Sequence, residues 1–326
     1  MPGTDPAEAV AVVLGELPDL PYLPELPARG PGADLTGRTA ALLIDLPVET
    51  TPAGWKLADR PGRDQRRAAG LLAADLDAVQ EAADAWTGPF KVQVCGPWTL
   101  AATIGLSRSQ NPALVDPGAV ADLTASLAEG VAAHLAEVRS RIPGATVLLQ
   151  LDEPALPAVL AGSVPTASGL NRVGAIDASV ACDNLRSVLQ ATTAFGLVHC
   201  CAAGVPFGVV KDAGAQGVGF DLGLLGRKDE DGLAEVAEAG LGILVGVEKT
   251  WAERSATAPG PPKDAAAGVI EIWRRIGLQA ATLAEQVVLT PACGLAAASP
   301  SAARIALSRC CSAARLMPEL IEEGAP

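Results

Sequence analysis

The sequence predicts an α/β fold, a (β/α)8 barrel whose first strand is missing or truncated at the N-terminus. Three observations carry this expectation. Apolar segments of strand length alternate with amphipathic helical stretches, the pattern of a parallel sheet. No Gly-x-Gly-x-x-Gly follows a strand into a helix and no Walker-type loop occurs, so a dinucleotide-binding open sheet has no support. The reactive residues fall at, or just past, the C-terminal ends of successive strands, where a barrel gathers its active site. Seven candidate strands are countable and a closed barrel needs eight, so an open doubly wound sheet is the alternative.

The elements follow in order. A helix runs from Asp5 to about Gly15, with Asp5 as N-cap and Pro6 at the first helical position. The weakest strand candidate, Leu20 to Leu26, precedes the turn Arg29-Gly30-Pro31-Gly32, and a helix opens at Asp34 and runs through Leu43. Pro47 to Arg63 reads as irregular or a hairpin, and Asp64 to Thr87 as a helix. Lys91 to Cys95 is a strand stopped by Gly96-Pro97. Pro117 to Ile142 is a long amphipathic helix with Val120, Leu123, Leu127, Val131, Leu135 and Val138 at helical spacing. Five strands follow, Val147 to Leu151, Gly196 to His199, Gly217 to Asp221, Ile243 to Val247 and Gln286 to Thr290. The helices between them are Asp177 to Phe195, Val205 to Ala213, Asp231 to Ala239 and Lys263 to Ile276, and a last helix begins at Ser299. No repeat or Gly/Ser-rich linker divides the chain, so residues 1–326 are expected to form one barrel domain.

Composition excludes several functions. A net charge of −13 argues against a nucleic-acid surface, which needs clustered Lys and Arg. The mean hydropathy of +0.30 comes from short strands and helical faces, and no window approaches the roughly 18 uninterrupted apolar residues of a membrane span. The N-terminus has neither a basic n-region nor an apolar h-region, so a cytoplasmic location is expected. Seven scattered cysteines in such a chain point to reduced thiols or metal ligands rather than a disulfide framework.

Two segments carry chemistry. Val198-His199-Cys200-Cys201 puts an imidazole and a thiol at one strand end, and Thr290-Pro291-Ala292-Cys293-Gly294 puts a second thiol at the last strand end. Imidazole with two thiolates is a borderline-soft donor set that suits Zn²⁺. The two halves lie far apart in sequence, so only a fold that gathers strand ends unites them. On extended backbone, His199 and Cys201 leave the same face, which favours that pair and turns Cys200 away. Buried cysteine as a small hydrophobe is the competing interpretation. Cys95, Cys182, Cys310, Cys311 and His134 are assigned to packing. The other segment, Gln150-Leu151-Asp152-Glu153-Pro154-Ala155-Leu156, ends an apolar strand with two carboxylates, costly to desolvate without partners. One could bind an ammonium group while backbone or an arginine orients the other; a helix-start pair stabilised by the dipole is the alternative.

Together these segments resemble the catalytic C-terminal half of cobalamin-independent methionine synthase, within the superfamily that includes uroporphyrinogen decarboxylase. The shared marks are Gln150 to Leu156, His199-x-Cys201 and Pro291-Ala292-Cys293-Gly294-Leu295, with Gly54-Trp55 and Gly96-Pro97-Trp98-Thr99-Leu100 as weaker ones. The resemblance implies a zinc held by His199, Cys201, Cys293 and a carboxylate, for which Asp221 is available and Glu248 is a weaker substitute. It implies that Asp152 holds the amino group of homocysteine, with Glu25 assisting. It implies methyl transfer to the homocysteine thiolate from methyltetrahydrofolate or a methyl-corrinoid protein. Rival readings are a zinc-dependent thiol methyltransferase for another acceptor and a non-catalytic zinc- or ligand-binding barrel. Two departures stand out. Trp251 lies near the position of the family's proton-donating histidine. The family's first strand, which ends in Gly-Ser and a proline and grips the amino acid, has no counterpart, so the true start is expected upstream.

Overall fold

Local signals set the helix starts. The Asp5, Asp34, Asp116 and Asp177 carboxylates each accept from backbone amides at the N-caps of α1 (Pro6–Glu16), α2 (Leu35–Ala40), α5 (Pro117–Arg141) and α7 (Ala178–Gln190). The computed structural model describes residues 1–248 and 260–323. Between these helices lie the hairpin β1 (Val48–Thr51) and β2 (Gly54–Leu57), then α3 (Arg63–Ala83), β3 (Gly88–Cys95) and α4 (Pro97–Thr103). β4 (Ala145–Asp152) and α6 (Leu156–Leu160) separate α5 from α7. The order then runs β5 (Phe195–Cys200), α8 (Phe207–Asp212), β6 (Gly217–Asp221), α9 (Glu230–Glu238) and β7 (Gly242–Glu248). It ends with α10 (Pro262–Arg275), α11 (Ala281–Gln286), β8 (Val287–Pro291) and α12 (Pro300–Glu323). No helix among the described residues is long and apolar enough to cross a membrane.

β3 to β8 form one six-stranded parallel sheet in chain order. The sheet curls. β5 and β8 are three strands apart, about 14 Å in a flat sheet, yet Sγ of Cys201, just past β5, lies 3.6 Å from Sγ of Cys293, just past β8. The open side is closed by side chains. Leu26, beside β3, and Leu295, beyond β8, share one apolar cluster with Val13 of α1 and Leu307 of α12. The Cys311 thiol of α12 also donates to the Glu16 carbonyl of α1 at 3.3 Å.

Side-chain alternation gives the sheet two unlike faces. Val92, Leu149, Leu151, Val198, Val218 and Ile243 are fully buried in the main core beneath the helices. The opposite, inward face carries Lys91, Gln93, Gln150, Asp152, His199 and Asp221 beside the apolar Leu197 and Leu244. Its lumen is therefore partly polar, with Asp152, His199 and Asp221 at the C-terminal ends of their strands.

Several expectations need correction. Leu20 to Leu26 is not a ladder strand; it makes one parallel bridge, Tyr22 to Lys91, through Lys91 N–H to the Pro21 carbonyl and Leu23 N–H to the Lys91 carbonyl, both 2.9 Å. Pro21 and Pro24 have no amide hydrogen to extend it. The described sheet accordingly has six strands, a partial barrel wall rather than a closed eight-stranded one. The helix expected to Phe195 ends at Gln190, and Phe195 opens β5. The helix expected to Thr87 ends at Ala83.

Three successive connections carry a short helix and then a hairpin-like turn: α2 with β1–β2, α4 with the bridge Gly105–Pro112, and α6 with the bridge Pro165–Arg172. They join laterally. Gly105 N–H donates to Trp55 and Leu57 N–H to Gly105, both 2.8 Å, and Ala167 N–H donates to Asn111 Oδ1 at 3.1 Å.

Candidate functional site

The sharpest feature at the rim is the thiol pair. Cys200 is fully buried while Cys201 is partly exposed, so consecutive cysteines leave β5 on opposite faces. Cys201 Sγ and Cys293 Sγ lie 3.6 Å apart and share a hydrogen bond. Two thiolates on one tetrahedral zinc, with bonds of about 2.3 Å, stand about 3.8 Å apart, so this spacing fits a shared metal. The hydrogen bond between them draws Cys293 down to about 7, helped by the Gly294 backbone against burial. The same bond and burial hold Cys201 far above the ordinary thiol range. Cys293 is therefore the first of the two to ionise.

His199 sits directly across the β5–β6 ladder from Gly219. A Cβ at position 219 would stand 2.8 Å from its Nδ1, so the imidazole needs glycine there. Burial, then the Lys91 ammonium, pushes His199 down to about 4, with Asp221 pulling the other way. It is neutral at physiological pH, the form that ligates a metal.

The register pairs Cys200 with Phe220, which carries Cys201 level with Asp221. Asp221 uses Oδ1 to accept from Gly223 N–H at 2.8 Å. Among the described residues, no three His, Cys, Asp or Glu side chains converge on one metal-binding point. The structure thus brings the two thiols together and sets His199 and Asp221 on the adjoining strand ends without closing a four-donor cage. Glu248, the substitute ligand, is 6% exposed and bound to Arg309 of α12, with Nε 2.9 Å and Nη2 2.8 Å from its Oε1. That pairing commits its carboxylate elsewhere.

The two carboxylates ending β4 separate. Glu153 is fully buried and points away from the lumen. It accepts from Trp98 N–H at 2.9 Å and from Thr99 N–H and Oγ1–H, both 2.7 Å, clamping the start of α4. Gly96 makes room for it, since a Cβ there would lie 2.4 Å from Glu153 Oε1. Burial pushes Glu153 up to about 7 against the pull of Thr99 and Trp98. Asp152 turns into the lumen, where Gln150 Nε2 donates to its Oδ1 at 2.7 Å. Burial raises it to about 6, opposed by Lys91 and Gln150.

Glu25 reaches the same space from the Leu20–Leu26 segment. Its carboxyl is raised by burial and by the charge of Asp152, against Arg38, whose Nε is 3.6 Å away, and against Gln93. Gln93 Nε2 donates to the Leu23 carbonyl at 2.7 Å, tying that segment to β3. Lys91, Gln93 and Gly219 escaped the sequence reading, and Gln150 entered it only as part of a shared motif. For the three polar residues the signal was present: polar side chains at alternate positions in otherwise apolar strands, in register as Gln93 with Gln150. His134 is buried on α5 and pushed by burial to about 4, outside the sheet. Trp251 lies outside the described residues.

No family model matches the chain, and no protein of curated function matches its sequence. Among solved structures, a B12-independent methionine synthase from a Shewanella species, in complex with selenomethionine, matches with a TM-score of 0.52 and 13% identity, over 76% of this chain and 67% of that one. A candidate α-L-fucosidase from Bacteroides thetaiotaomicron overlaps with a TM-score of only 0.27 and 10% identity, over 77% of this chain and 61% of that one, and carries no weight. The first likeness is one of fold: this chain shares the α/β, barrel-type architecture of that methionine synthase.

Proposed function

We propose that this chain is a zinc-dependent methyltransferase that transfers a methyl group to the thiol of homocysteine, yielding methionine. The observation that carries the reading is the Cys201–Cys293 pair, 3.6 Å apart at the mouth of a partly polar lumen. His199, Cys201, Cys293 and Asp221 would hold the zinc. Bound there, zinc would keep an acceptor thiol ionised at neutral pH, where a free thiol of pKa about 8.5 is mostly protonated. Asp152 receives the acceptor's ammonium group, braced by Gln150, and Glu25 supplies a second negative charge beside it. The acceptor sulfur forms its bond to the methyl carbon as the carbon–nitrogen bond of a methyltetrahydrofolate, or the carbon–cobalt bond of a methyl-corrinoid protein, breaks and leaves its electron pair on the donor. A cytoplasmic location accompanies this reading.

The test is direct. Cys201→Ser and Cys293→Ser are purified beside the native chain, zinc is quantified, and methionine formation is followed with each donor in parallel. Both variants should lose bound zinc and activity together. Full zinc content in either variant would remove that residue from the ligand set. A zinc-loaded native chain that methylates homocysteine from neither donor would overturn the function.

A further inference from the structure

We propose that Lys91 reads the carboxylate of the acceptor, so that the lumen selects α-amino-acid thiols over simple amino thiols. The inference rests on the acceptor assignment above and adds a residue to it.

Lys91 occupies an inward-facing position on β3, in phase with Gln93, and β3 pairs along its length with the strand that ends in Asp152. Its Nζ donates to Gln93 Oε1 at 3.3 Å and lies 5.3 Å from the centroid of the Tyr22 ring. Among the described residues it makes no ion pair within 4.0 Å, so donors of a three-donor ammonium remain available. Yet its charge is felt by Asp152 and His199, and it feels both Asp152 and Glu25. It therefore sits among the groups proposed to hold the acceptor without being consumed by any of them.

Charge balance gives this arrangement a purpose. Asp152 and Glu25 supply two negative charges to the lumen, and His199 is neutral. Of the other cations beside Glu25, the Met1 ammonium donates to the Glu25 carbonyl at 2.6 Å and Arg38 is bound to Asp75 of α3. Lys91 is the cation that acts on both Asp152 and Glu25. A zwitterionic amino acid complements this set: its ammonium goes to the paired acids and its carboxylate to Lys91. A fold that only needed filler at this position would be served by an apolar side chain, as Val92 and Val94 serve the other face of β3.

The experiment measures binding, with no methyl donor present. The zinc-loaded full chain is titrated calorimetrically with L-homocysteine, with 3-aminopropane-1-thiol (no carboxylate) and with 4-sulfanylbutanoic acid (no amine). Lys91→Met should weaken homocysteine and 4-sulfanylbutanoic acid by about 10-fold or more, the loss of a charged hydrogen bond. The same variant should leave 3-aminopropane-1-thiol within about 2-fold, and Lys91→Arg should retain homocysteine binding. Equal weakening of all three ligands, or of none, overturns the role of Lys91. If Lys91→Met does not fold, the native chain decides, because it should prefer homocysteine to 3-aminopropane-1-thiol by about 10-fold; equal affinities refute the proposal. A native chain that binds none of the three thiols refutes the acceptor assignment itself, a different outcome from homocysteine binding that Lys91→Met leaves intact.

Discussion

Gly219→Ala puts a methyl group where the His199 imidazole now lies. The new Cβ would stand 2.8 Å from Nδ1 and 3.5 Å from the Cβ and Cγ of the same residue. A carbon–nitrogen contact without a hydrogen bond relaxes near about 3.5 Å, so the ring has to withdraw by ~0.7 Å. The backbone cannot supply that movement cheaply, because His199 and Gly219 are partners in a continuous parallel ladder flanked by β4 and β7. The ring must leave its rotamer, at a cost of about 0.5–1.5 kcal/mol, and overpacking raises the total to about 1–3 kcal/mol. If His199 ligates zinc, its displacement should lower zinc affinity by about 10- to 100-fold, the range seen when the support of a metal-bound histidine is removed. Competition with a chromophoric chelator measures that affinity, and thermal unfolding measures the packing cost. A variant that unfolds earlier but binds zinc as tightly as the native chain would show that His199 packs against Gly219 without serving the metal.

Other expectations follow from the site's electrostatics. Asp152 is raised from 3.8 to about 6, so it loses its charge as the pH falls through 6; homocysteine affinity should fall with it, and an affinity independent of pH between 5 and 7 would deny Asp152 the ammonium. Glu153 is raised from 4.5 to about 7, so the folded chain holds that proton more tightly than the unfolded one. The stability it contributes is complete below pH 4.5 and lost as the pH rises through 7. The urea-unfolding free energy of the native chain should therefore fall by about 3 kcal/mol relative to Glu153→Gln between pH 4.5 and 8; parallel profiles would contradict the burial argument. Glu248→Gln should cost about 3 kcal/mol by stranding Arg309 while zinc content stays at the native level, and zinc loss would return Glu248 to the ligand set.

Much of the frame was legible because strands and helices announce themselves by period. The six strands of the sheet lie close to the apolar runs that foretold them, and Asp5, Asp34, Asp116 and Asp177 marked helix starts through ordinary capping chemistry. What stayed hidden depended on tertiary placement. Leu20 to Leu26 is apolar enough for a strand, but its prolines limit it to one bridge, and no local pattern says how many bonds a neighbour will supply. The short helix α4 begins at Pro97, where the sequence showed only the end of a strand, and it has the Glu153 carboxylate at its start, from the next strand of the sheet. The division of labour between Asp152 and Glu153 was open in the sequence. Alternation alone assigns them opposite faces, and the β3–β4 register decides which one meets the lumen. His199, Cys201 and Cys293 could be named from residue type and strand-end position, whereas their mutual distances depend on how tightly the sheet curls.

The seam between α1 and α12 has a kinetic consequence. Elsewhere neighbouring strands are welded by backbone ladders, but here Val13, Leu26, Leu295 and Leu307 meet through apolar side chains beside the Cys311–Glu16 hydrogen bond, across most of the length of the chain. Contacts between residues so far apart in sequence close a very long loop, a step of high entropic cost. The seam should therefore assemble last and part first. Amide hydrogens of α1 and the Leu20–Leu26 segment should exchange with solvent through partial openings that leave β4 to β7 protected. Such an opening would let water reach the lumen from the side as well as from the rim.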